Sequence, residues 1–223
     1  MGKGVSGDHQ PATVRSSHPG APVRDAVIAG HDGDLETASR LVGDRDPAVR
    51  AAALGALQRM GALETHTLGA ALRDPDPTVR RRGCVVAARR FGAGEISGEI
   101  VDALVQALAS DPDPTVVEAA AWSLGEAGPD GGRSAVDGLE RVVRTHSDPL
   151  CREAAVAALG AIGDPVALDT VLVALADKPA VRRRATIALA AFDDPRVDEA
   201  LRRCLEDRDW QVRQAAEDLL GRL

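Results

Sequence analysis

Five histidines, three cysteines and a few close-set acids are the residues in this chain most able to hold a metal or attack a substrate. The cysteines, Cys84, Cys151 and Cys204, are odd in number and too far apart for a metal knuckle. They fall on expected helices and read as buried reduced thiols, which fits a cytoplasm. The acid pairs Asp193-Asp194 and Asp198-Glu199 stand at an expected helix start, where acids serve capping rather than catalysis. Gly92-Ala93-Gly94-Glu95-Ile96-Ser97-Gly98 has the wrong spacing for a dinucleotide loop, and no strand precedes it. No G-x-S-x-G, C-x-x-C or Walker pattern occurs. The expectation is therefore no catalytic residue, no cofactor site and no metal site. What remains is binding chemistry, carried by tryptophan and arginine.

The elements that position those residues repeat. Asp46-Pro47-Ala48-Val49-Arg50 returns as Asp76-Pro77-Thr78-Val79-Arg80, Asp113-Pro114-Thr115-Val116-Val117 and Asp148-Pro149-Leu150-Cys151-Arg152. Lys178-Pro179-Ala180-Val181-Arg182 and Asp209-Trp210-Gln211-Val212-Arg213 are degenerate copies. At the Pro position the steps are 30, 37, 35, 30 and 31 residues, the period of a solenoid. Asp is a preferred N-cap and faces the positive end of the helix dipole. Pro at the first helical position loses no hydrogen bond, and a Gly near the helix end, as at Gly61, Gly128 and Gly163, supplies the stop.

Composition agrees. The core material is Ala, Val and Leu, with two Phe, two Trp and no Tyr, so the chain reads as all-α. The net charge of −7 argues against a dedicated nucleic-acid binder. Charge is uneven: residues 91–140 hold ten acids and one base, whereas 77–90 hold five arginines and no acid. No stretch is apolar enough to span a membrane, and the N-terminus lacks an apolar signal core.

Residues 1–21 read as a flexible tail, and Pro22 to about Gly30 as a lone helix covering the first repeat. The solenoid, 22–223, divides into repeats at about 34–61, 62–92, 93–128, 129–163, 164–193 and 194–223. Each is a helix A, a tight turn and a helix B. The expected A helices are 34–43, 63–73, 99–110, 134–146, 165–176 and 195–206; the B helices are 47–60, 77–91, 114–127, 149–162, 179–192 and 210–222. Longer connections at 92–98 and 128–133 are expected as inserted loops on one rim.

The D-P-x-V-R turn followed by x-x-A-x-x-x-L-G resembles HEAT repeats over residues 34–223, particularly the short bacterial type seen in phycobilin lyase subunits. The resemblance implies a right-handed α-solenoid of about six helix pairs, with the B helices lining its inner surface. It does not imply one function, because such arrays serve scaffolds, lyases, hydroxylases and glycosylases. Deoxyhypusine hydroxylase uses His-Glu pairs for iron, and none of His9, His18, His31, His66 and His146 is followed by Glu. HEAT-like DNA glycosylases use Trp, Asp and Arg on the concave face. Trp122 and Trp210 could be placed in such roles, but the acidic centre and the scarcity of Lys argue against them.

Counting from the Pro position of each B helix, offsets +2, +6, +9, +10 and +13 form one apolar arc, the expected core. Offset +6 is small in every copy, as a close helix crossing requires. Offsets +1, +4, +5, +8 and +12 fall opposite, on the expected inner face. There Val85, Trp122, Ala157 and Ile187 give an apolar floor, Glu118 and Glu153 stand at the centre, and Arg81/Arg82 and Arg183/Arg184 flank them. Trp and Arg recur at interface hot spots, so the expected ligand is a protein or peptide segment. Trp122 either meets that partner or is closed over by the 128–133 loop or a neighbouring helix. The turn arginines Arg50, Arg80, Arg152, Arg182 and Arg213 recur too regularly for a unique ligand and are expected to ladder with turn aspartates.

Overall fold

The computed structural model describes residues 21–95 and 97–221. The expected tail at 1–21 lies, but for Ala21, outside them. Thirteen α-helices and no strand occur among the described residues. α1 (Ala21–Asp32) comes first. The A helices follow as α2 (Leu35–Leu41), α4 (Thr65–Ala71), α6 (Gly98–Ser110), α8 (Gly132–Thr145), α10 (Leu168–Ala174) and α12 (Pro195–Cys204). The B helices are α3 (Pro47–Arg59), α5 (Pro77–Gly92), α7 (Pro114–Ala127), α9 (Pro149–Ile162), α11 (Pro179–Ala188) and α13 (Trp210–Leu220). The fold is an α-solenoid of six helix pairs.

The repeated stretch starts the B helices as its chemistry requires. Carboxylates of Asp46, Asp76, Asp113, Asp148 and Asp209 each accept the backbone N–H two residues on, at 2.8–2.9 Å. Each B helix packs closely on the next, whereas successive A helices touch less, so the B layer lies on the inside of the curve. α1 stacks on α3 in that same layer and covers the first repeat. Glycine permits the closest approaches. A Cβ placed on Gly125 would lie 3.1 Å from the Ala158 Cα, and one on Gly160 would lie 2.7 Å from the Ala188 Cβ.

The core holds offsets +2, +6, +9 and +10 as expected. It also holds offset +7 (Leu54, Cys84, Ala121, Val156 and Thr186), which the helical wheel did not include. A B helix has three neighbours, its own A helix and a B helix on each side, so its buried arc is wider than that of a surface helix.

Four of the five turn arginines form the expected ladder; among the described residues Arg213, in the last repeat with no following turn, donates only to the Asp207 carbonyl. Arg50 donates twice to Asp74 (2.9 and 2.6 Å), Arg80 to Asp111 (2.7 and 2.9 Å), Arg152 to Asp177 (2.6 and 2.7 Å) and Arg182 to Asp207 (2.8 and 2.7 Å). Each also donates to a carbonyl of its own turn, tying two repeats at one point.

The second expected insertion takes a different form. Residues Gly128–Gly131 make a 3-10 turn that runs directly into α8, two residues earlier than expected. Gly128 and Gly132 take positive φ (58° and 73°) and Gly131 is buried, so the extra residues fold into the rim. Four A helices are shorter than expected, because the chain tightens into turns after Leu41, Ala71 and Cys204 and into a 3-10 turn at Pro165–Ala167 before α10.

Candidate functional site

A groove runs along the concave face over the B helices. One part of it, a cavity of about 560 Å3, lies over α7 and α9. Val85, Trp122 and Ala157 line it, with Arg81, Glu118, Glu153 and Arg184 around them. A continuation of about 330 Å3 is lined by Ala157, Arg184 and Ile187. Of the nine residues expected on this face, seven line these two spaces. Arg82 and Arg183 stand outside them.

Trp122 is 44% exposed, and Ile187 is 43% exposed. The 3-10 turn at Gly128–Gly131 is not among the residues that line the cavity with Trp122. Half of the indole is seated and half faces the groove. Leu150, at the first turn of α9, adds a further exposed apolar side chain to the same wall.

The floor follows a rule that sets offset +8 of one B helix against offset +5 of the next. Large residues at +8 (Val85, Trp122, Ile187) precede alanine at +5 (Ala119, Ala154, Ala215), and small ones (Gly55, Ala157) precede arginine (Arg82, Arg184). At Gly55 the fit is direct, because an added Cβ would lie 2.0 Å from the Arg82 Nη2. Volume is conserved across each joint, as close packing demands. Trp122 protrudes where the following residue is too small to cover it.

The two arginine pairs differ in their surroundings. Arg184 and Arg183 approach Glu153 at 3.4 and 4.0 Å, so that end of the face is internally compensated. Among the described residues Arg81 and Arg82 make no ion pair. Burial, followed by the charges of Arg89 and Arg59, pushes the Arg82 guanidinium below its ordinary value. Pairing of Glu153 across a helix joint was not read from the sequence, although the two columns of charge, offsets +4 and +5, were.

The three thiols are free and buried. Burial pushes Cys84 up to about 12 and Cys151 up to about 11, and Cys204 is raised by the same cause. Among the described residues no three His, Cys, Asp or Glu converge to hold a metal ion, and no helix is long and apolar enough to cross a membrane.

Known proteins resemble this one in fold. The Escherichia coli protein YibA superposes with a TM-score of 0.63 at 16% identity, over 94% of this chain and 77% of that one. A designed armadillo repeat protein gives 0.59 at 17% identity, over 84% and 98%. The CpcE–CpcF complex of phycocyanin lyase from Nostoc sp. PCC7120 gives 0.57 at 23% identity, over 97% and 81%. No curated protein matches by sequence. The family model for HEAT repeats matches three overlapping stretches, 65–158, 101–180 and 136–221, which together span more than half of the sequence. The chain belongs to the HEAT-repeat family.

Proposed function

We propose that this protein is a scaffold without catalysis of its own, which binds a protein segment along its concave groove. The observation that carries this reading is Trp122, a half-exposed indole on the floor of a cavity lined by Val85 and Ala157 and edged by Arg81 and Glu118. Leaving large apolar surface in water is unfavourable unless something covers it, and a tryptophan in a concave seat beside arginine has the make-up of a binding hot spot. Glu153 and Arg184 shape the far wall, and Ile187 extends the apolar strip towards α11.

A second reading is an accessory protein for a small ligand, favoured by the cavity volume of about 560 Å3, which lies in the range of small-molecule pockets. Parallel affinity capture with the wild type and Trp122→Ala separates the two. A protein retained by the wild type and lost from the variant supports the scaffold reading. A chromophore or metabolite recovered with no protein would replace it with the second.

A further inference from the structure

Resting on the reading that the groove holds a protein segment, we infer that this segment is acidic. Its carboxylates are received by Arg59, Arg82 and Arg89 at the α3–α5 joint, beyond the end of the groove.

The chain itself shows what an arginine at offset +5 requires. Arg184 lies beside Ala157 and approaches Glu153, which stands at offset +4 of the preceding B helix. Arg82 occupies the same offset one end earlier, but offset +4 of its preceding helix is Ala51. The carboxylate is missing from the fold. The Nε atoms of Arg82 and Arg184 are both buried with no hydrogen-bond partner, but Arg184 still reaches Glu153 through its Nη2, whereas Arg82 reaches no acid among the described residues. Among the described residues neither Arg59 nor Arg89 makes an ion pair, whereas four turn arginines each make a two-point bond to an aspartate.

The cluster is also seated. The Arg82 Nη2 would lie 2.0 Å from a Cβ on Gly55, and the Arg59 Nη2 would lie 2.4 Å from one on Gly30. Two glycines thus make room for two guanidinium groups on successive concave joints. Burial first, and the charges of Arg89 and Arg59 after it, disfavour the Arg82 cation. A carboxylate brought by a partner offsets this and satisfies the planar fork.

The occupant is a polypeptide and not another polyanion. The cluster lies on a concave face, which a flat bilayer cannot follow. The adjoining cavity carries Glu118, Glu126 and Glu153, which repel a continuous phosphate backbone. A peptide can place acids at one end and an apolar side chain at the other. The α3–α5 joint is two helix spacings from the α7–α9 cavity, about 20 Å at 8–10 Å per spacing. An extended segment covers that in about six residues.

The test is a selection of random dodecapeptides displayed on phage against the full-length protein, followed by titration of the synthetic peptides recovered. The expected peptides carry clustered Asp and Glu about six residues from a large apolar residue. Arg82→Gln should weaken them at least about tenfold. Gly55→Ala should do the same by displacing the guanidinium, without lowering the melting temperature. Ala51→Glu should also weaken them, because it supplies the missing acid from within. Peptides with no acidic enrichment, or with affinity indifferent to Arg82→Gln and Ala51→Glu, would overturn the inference. If those same peptides still depend on Trp122, the groove reading stands without it. Failure to recover any binding peptide would overturn both.

Discussion

Val117 and His146 stand together at the one joint where the arginine–aspartate ladder is missing. At the other joints the fourth helical residue is arginine, and an aspartate in the following turn receives it. Val117 is 1% exposed and contributes to the core instead. His146 keeps the other duty of the aspartate: its Nδ1 accepts from the Asp148 backbone N–H at 3.1 Å, as the carboxylates of Asp74, Asp111 and Asp207 accept in their own turns. Both halves of the ion pair have been exchanged at the α7–α9 joint, over which the cavity of about 560 Å3 lies.

A double-mutant cycle tests that relationship. Val117→Arg alone should destabilise by about 3 kcal/mol, because it buries a cation without its acid. His146→Asp alone should shift stability by about 0.5 kcal/mol or less. The double variant should recover part of the loss, with a coupling of about 1–3 kcal/mol in urea unfolding.

The intact rungs set the acid limb of stability. The Arg152 and Arg182 guanidinium groups hold the Asp177 and Asp207 carboxyls below their ordinary range. A carboxyl depressed in the folded state contributes stability that is complete above its unfolded pKa of about 3.9 and is lost as pH falls through the folded value. Asp207→Asn keeps the oxygen that caps the turn and removes the charge. It should cost about 1–3 kcal/mol at neutral pH, and the difference from wild type should vanish in acid. Urea titrations across that range measure it.

Glycine on the concave face serves two purposes that alanine substitution distinguishes. At Gly160 a Cβ would meet the Ala188 Cβ at 2.7 Å and its Cα at 3.0 Å, so two helices must part. Overpacking of that kind costs about 1–3 kcal/mol. Helix propensity returns only about 1 kcal/mol. Gly160→Ala should therefore lower the melting temperature. Gly55→Ala, which meets only the end of a flexible arginine, should not.

The contrast between these sites explains what could be read from the sequence. Caps such as Asp46 and Asp76 act within three residues, so the starts of the B helices were legible to the residue, whereas α11 ends at Ala188 and passes into a 3-10 turn before the expected end at 192. The offset pattern placed Val85, Trp122 and Ile187 on one face because helical periodicity alone decides that. The bond from Arg184 to Glu153 was not legible, since it depends on how far one B helix is displaced along the next. The extra buried column at offset +7 escaped for a related reason: the wheel describes one helix, and the column exists because a second B helix packs on each side. The 3-10 turn at Gly128–Gly131 has no strong local signal beyond its glycines, which also mark open loops.

The most direct measurement compares two tryptophan truncations in one binding titration. Trp122 lies in the groove, whereas Trp210, 64% exposed at the start of α13, lines neither the cavity over α7 and α9 nor its continuation. With a segment captured by the wild type, Trp122→Ala should weaken binding by about 2 kcal/mol, roughly 30-fold, with both variants still folded by circular dichroism. Trp210→Ala should leave the affinity unchanged. Equal affinity for wild type and Trp122→Ala, or an equal loss in both variants, would contradict the claim that this groove is the binding site.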